Sequence, residues 1–164
     1  MKKINLIFLT FFLTNIFINL YSSELIIDVF GKEEVKTYEI DDNNFFRIIT
    51  SQSVFKTNTN IYGNSECAGT TEIYNKSAIL NYICEIREGK NKAYYVIKNN
   101  KTESSKKDDV TELAISVSFI GGSGRWKNLI GQTCNFVYFE YEERAFHAKV
   151  KCIINTEILL LFKS

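Results

Sequence analysis

The segment "CNFVYFEYEERAFHAKVKC", Cys134 to Cys152, constrains the chain more than any other. Its apolar residues recur at every second position, the period at which side chains of an extended strand share one face. If Cys134 and Cys152 oppose each other in an antiparallel pair, Phe136 meets Val150, Tyr138 meets Ala148 and Glu140 meets Phe146 on the cysteine face. Asn135 with Lys151, Val137 with Lys149 and Phe139 with His147 then form the reverse face, and Glu142-Glu143-Arg144 is the connection. "CAGTTEIYNKSAILNYIC" behaves in the same way. Opposing Cys67 to Cys84 pairs Gly69 with Tyr82, Thr71 with Leu80 and Ile73 with Ala78 around an Asn75-Lys76 turn, and a glycine opposite a tyrosine leaves room for the ring. Four cysteines allow three connectivities. The two registers favour Cys67–Cys84 and Cys134–Cys152, with bridges between the hairpins as the alternative.

Strand chemistry runs through the chain beyond residue 24, where Ile, Val, Tyr, Phe and Thr alternate with polar residues. The expected strands are Leu25–Phe30, Val35–Ile40, Phe45–Thr50, Ala68–Tyr74, Ala78–Ile86, Ala93–Lys98, Leu113–Ile120, Trp126–Leu129, Cys134–Tyr141 and Ala145–Ile153, with Ile158–Phe162 as a further candidate. Turn-like clusters at "DDNN", "TNTN", "YGNSE" and "REGKNK" separate them. The polar run "KNNKTESSKKDD", from Lys98 to Asp109, reads as a mobile surface loop, and "DDVTELAIS" could start a helix capped by Asp109.

Lys2 and Lys3 precede "INLIFLTFFLTNIFINLY", a mostly apolar run that ends at "SSE". This is the pattern of a secretory signal peptide cut after Ser22, so residues 1–22 are expected to be removed and 23–164 to form one domain. Asn5, Asn15 and Asn19 interrupt the run and argue against a permanent membrane anchor. No later run is long enough to span as a helix. Export, to the periplasm or outside the cell, makes an even cysteine count a disulfide framework. Without Lys2 and Lys3 the 20 Lys and Arg fall to 18 (20 − 2) against 19 Asp and Glu, so there is no basic excess to attract nucleic acid or anionic lipid. The cysteines include no close Cys-x-x-Cys pair, and no metal site is expected.

"GGSGRWKNLIGQTC", Gly121 to Cys134, invites a phosphate-binding reading but lacks both the Walker and the dinucleotide spacings. Gly121, Gly122, Gly124 and Gly131 are instead read as structural turn residues that let a strand turn a corner, admit Trp126 to the core and deliver Cys134 to its partner. On Gly122, Gly124, Arg125, Trp126 and Gly131, followed by Cys134, the segment resembles the Gly-x-Gly-basic-aromatic segment of the allene oxide cyclase and dirigent type of β-barrel, and the chain resembles small exported bacterial proteins that carry it with paired cysteines. The resemblance implies a calycin-like antiparallel barrel of about eight strands with an apolar interior and no cofactor. The polar cavity residues of those barrels do not match here position by position, so no catalytic residue is carried over.

Together the residues point to an all-β fold, a single antiparallel β-barrel or a related sandwich, with two intra-hairpin disulfides. The leading functional expectation is non-catalytic binding of a hydrophobic or amphipathic small molecule, or of a protein partner. A cofactor-free isomerase or cyclase that uses the cavity, and a structural envelope protein, are the alternatives. Candidate ligand-binding residues are Tyr138 and Glu140, which share the cysteine face, with Glu140 at a barrel mouth, and Arg125, which could take an anion or make a surface salt bridge. His147, the single histidine, is expected on the outer face with no nucleophile beside it.

Overall fold

The computed structural model describes residues 22–74, 77–102, 104–107 and 110–163. The signal-peptide reading and the Asn75-Lys76 turn fall outside the described residues, apart from Ser22, which opens the first strand. Nine strands follow in order: β1 (Ser22–Asp41), β2 (Asn44–Thr57), β3 (Tyr62–Tyr74), β4 (Ser77–Glu88), β5 (Asn91–Thr102), β6 (Ser104–Lys107), β7 (Val110–Gly122), β8 (Thr133–Glu140) and β9 (Ala145–Asn155). A 3-10 turn, Gly124–Leu129, joins β7 to β8, a second, Glu142–Arg144, joins β8 to β9, and a short helix α1, Thr156–Leu161, follows β9.

All pairings are antiparallel, and two of them close the sheet. β9 returns to β1, from Ser22 opposite Asn155 to Lys32 opposite Ala145, and β5 pairs with β7 from Ala93 opposite Gly122 to Ile97 opposite Val117. The result is a closed barrel of eight strands, with β6 hydrogen-bonded to β7 outside the closure. Closure leaves few strand edges unpaired, which is how an all-β chain without a second layer buries its backbone polar groups.

Both cysteine hairpins have the expected registers, Cys67 opposite Cys84 and Asn135 opposite Lys151, and the disulfides are Cys67–Cys84 and Cys134–Cys152. Both bridges point into the barrel. Gly69 does leave space for Tyr82: a Cβ there would lie 2.6 Å from the tyrosine ring.

Several elements differ from the sequence expectation. Leu25–Phe30 and Val35–Ile40 are one continuous strand, because Gly31 and Glu33 hold the inward phase between Val29 and Val35. "YGNSE" starts β3 instead of turning, with Gly63 beneath the Phe55 ring and Ser65 buried. The Lys98–Asp109 run is not a loop throughout: β5 continues against β4 to Thr102, and β6 pairs with β7. From Val110 on, "DDVTELAIS" is strand β7 and not helix, while Asp108 and the expected cap Asp109 lie outside the described residues. Trp126–Leu129 is no strand but part of a 3-10 turn, in which residues three apart share a face, so Trp126 and Leu129 are buried together. Ile158–Phe162 falls largely within α1, where Asn155 caps the helix by accepting from the Glu157 N–H at 2.8 Å, and Leu159 and Phe162 turn inward.

These last two elements divide the interior. At one end Trp126 is fully buried, its ring meeting Phe55 and Phe162 edge-on at 5.8 and 5.1 Å, while its Nε1–H donates to Glu88 at 2.8 Å. Leu25, Ile27, Ile86, Phe119, Leu129 and the Cys134–Cys152 bridge fill the space around it. That end is plugged. At the other end β1 runs past its last partner on β9, so Glu33–Asp41 pairs with β2 alone, close to the β8–β9 connection. The unfilled half of the barrel lies there.

Of the four glycines read as turn residues, Gly121 and Gly122 end β7, Gly124 opens the 3-10 turn and Gly131 follows it. Gly124 takes φ of 58° and Gly131 takes 85°, conformations that L side chains rarely adopt, and a Cβ on Gly122 would sit 2.9 Å from the Trp126 backbone.

Candidate ligand cavity

A cavity of about 200 Å³ occupies the open half of the barrel. It is several times the ~30 Å³ that a water occupies in the liquid, room for one small organic molecule. Its deep walls are apolar: Val29, Ile49, Leu80, Ile97, Ile115 and Phe136. These residues point inward because the strands alternate and the opposite phase carries the charged outer face.

Toward the mouth the lining changes to Glu33, Arg47, Tyr82, Tyr138, Glu140 and Arg144. The Tyr138 hydroxyl donates to the Glu33 carboxylate. Burial pushes the Glu33 carboxyl up to about 7; Tyr138's hydrogen bond pulls it back, Glu140 raises it further, and Arg144 and Arg47 lower it. Glu33 therefore holds and releases a proton near neutral pH. Burial also raises Tyr138, with the Glu33 and Glu140 charges adding to it, and raises Tyr82 to about 12. Both hydroxyls stay protonated at neutral pH as hydrogen-bond donors. Tyr82 shares a hydrogen bond with Thr71, and Arg144 pairs with Glu140 at 3.0 Å. Arg47 lies over the Phe45 ring at 4.6 Å.

Of the residues expected to bind a ligand, Tyr138 and Glu140 line this cavity, on the cysteine face of β8 as the register requires. Arg125 is not brought to them. It sits at the plugged end, 3.5 Å from Glu88, and donates to the Leu161 carbonyl at 2.9 Å. His147 is on the outer face, stacked on Phe30 at 4.4 Å and near Phe139 at 5.9 Å, with its Nε2 3.2 Å from Asp28. Glu33, Arg47 and Tyr82 escape the sequence reading. Their signal is phase: Glu33 falls in step with Val29 and Val35, and Arg47 with Phe45 and Ile49, so each charge points inward.

No group of three or more His, Cys, Asp and Glu side chains that could hold a metal ion occurs among the described residues. No helix among them is long and apolar enough to cross a membrane. Compared with family models, curated proteins and solved structures, the chain matches none of them.

Proposed function

We propose that the chain is an exported binding protein whose barrel takes up one small amphipathic molecule. The apolar body lies against Ile49, Leu80, Ile97 and Ile115, and the polar head meets the Glu33, Arg47 and Tyr138 end. The observation that carries this reading is the graded cavity, apolar in depth and ionisable at the mouth, which is the composition of a small-molecule site. A structural envelope protein gains nothing from placing carboxylates and arginines inside its own barrel, where they lose hydration. The two disulfides and the apolar run behind Lys2 and Lys3 support export. The resemblance of Gly122–Gly131 to the allene oxide cyclase and dirigent type of barrel supports a calycin-like assignment and a ligand held in the interior.

One observation favours a catalytic form of the same reading. A carboxyl group poised near pH 7 beside two protonated tyrosines is the equipment of general acid–base catalysis, in which Glu33 would exchange a proton with the bound molecule and a tyrosine would hydrogen-bond to developing charge. Such chemistry fits a cofactor-free isomerase or cyclase.

Native mass spectrometry of the protein purified gently from its own host tests the occupancy. The expected result is a bound species of small-molecule mass that is lost on denaturation. Repeated recovery of the bare chain alone counts against a tight carrier and leaves the catalytic form, in which the ligand turns over.

A further inference from the structure

The charges at the mouth are not equally compensated. Arg144 is matched by Glu140 at 3.0 Å, and Glu33 takes its hydrogen bond from Tyr138. Arg47 has no carboxylate within ion-pair distance among the described residues, and its Nε is buried without a hydrogen-bond partner there. Its guanidinium carbon lies 4.6 Å from the centre of the Phe45 ring, a cation–π contact that uses no N–H donor. The half-buried Arg47 thus keeps one buried N–H donor without an acceptor, which is unfavourable unless something supplies it. Arg47 lines the same cavity into which the apolar walls open.

We infer that the ligand carries a single carboxylate and that Arg47 receives it, with the apolar body directed toward Ile97 and Ile115. This rests on the small-molecule reading above and narrows it. The fork of a guanidinium matches a carboxylate in two parallel hydrogen bonds. A doubly charged phosphate is disfavoured, because Arg47 is the one lining cation without a carboxylate partner among the described residues, and the Glu140 carboxylate lines the same cavity. The groups facing Glu33 are Arg47 from β2, Tyr82 from β4, Tyr138 and Glu140 from β8, and Arg144 from the second 3-10 turn. An anion arriving on Arg47 offsets the cation that lowers Glu33 and so strengthens its hold on a proton. Affinity accordingly falls as pH rises through about 7, with a proton taken up on binding.

The test is calorimetric titration of the full mature chain with para-butylbenzoate, para-butylbenzamide and para-butylphenyl phosphate at neutral pH. The benzoate should bind at least about tenfold more tightly than either of the others. Arg47→Met should remove that preference while the amide still binds, and Arg47→Lys should keep part of it, since a point charge remains but the fork is lost. Thermal unfolding of each variant confirms that it folds, and the pH dependence of the wild-type affinity gives a readout that needs no variant. Equal or tighter binding of the amide or the phosphate overturns the carboxylate inference alone. Binding of none of the three overturns the cavity reading with it.

Discussion

Replacing Glu33 with Gln gives an unusual result if the cavity is as described: removing a charged residue stabilises the protein, and only on the alkaline side. The carboxyl rises from an ordinary value of 4.5 to about 7 on folding, chiefly through burial. Below about pH 4.5 it is protonated in both the folded and unfolded chains and contributes no slope. Between about 4.5 and 7 the unfolded chain has released a proton that the folded chain keeps, so stability falls as pH rises, and above 7 the loss is complete. At 1.36 kcal/mol per pK unit the shift corresponds to about 3 kcal/mol, reduced to about 2–3 kcal/mol because Glu33 is only partly shielded from solvent. Glu33→Gln keeps the shape and an acceptor for Tyr138 but cannot ionise. Urea unfolding of both proteins from about pH 4.5 to about 8.5 reports chiefly on Glu33, since titrations not coupled to it cancel in the difference. Curves that meet near the acid end and diverge by about 2–3 kcal/mol above neutrality are expected. Parallel curves would refute both the burial of Glu33 and the acid–base role built on it.

Other positions give independent checks. Gly69→Ala drives a methyl into the Tyr82 ring and the Asn81 carbonyl, and should lower stability by about 1–3 kcal/mol in denaturant unfolding while disturbing the Tyr82–Thr71 pair. Trp126→Ala removes the fully buried ring between Phe55 and Phe162 and the hydrogen bond to Glu88, with an expected loss of about 3–5 kcal/mol by the same assay. Cys67→Ser with Cys84→Ser opens a loop of separation 17, and should lower stability by about 3 kcal/mol through the unfolded chain. Arg125→Gln, at the plugged end, should leave para-butylbenzoate affinity unchanged in calorimetry and reduce stability by no more than about 1 kcal/mol.

The two cysteine hairpins are legible in the sequence because each pairs a long run of period-two alternation with a covalent constraint, and a slip of one residue would turn every apolar side chain outward. Tyr138 and Glu140 are legible as cavity residues for the same reason. The glycine stretch is legible as a corner, but its geometry is not: "RWKNL" alternates like a strand, and only the left-handed Gly124 and the close approach of the Gly122 and Trp126 backbones make it a 3-10 plug. Likewise "EILLLF" carries no period that separates a final strand from a helix. Docking of Leu159 and Phe162 onto the core decides it. The larger omission is instructive. "GKEE" looks like a break between strands because strand interiors rarely hold a charge, yet β1 passes straight through it and Glu33 lands inside. Arg47 is hidden in the same way between Phe45 and Ile49. A charge that falls in phase with flanking apolar residues is where the pattern serves a site instead of a core.

The central claim, that a small amphipathic molecule enters the open half of the barrel, is tested most directly by methyl-labelled NMR of Ile, Leu and Val during titration with para-butylbenzoate. Shifts should concentrate on the inward methyls of Val29, Ile49, Leu80, Ile97 and Ile115 and leave the outward methyls of Ile48, Val54 and Ile83 unmoved. Shifts confined to those outward methyls, or no saturable shift at the inward ones, would contradict it.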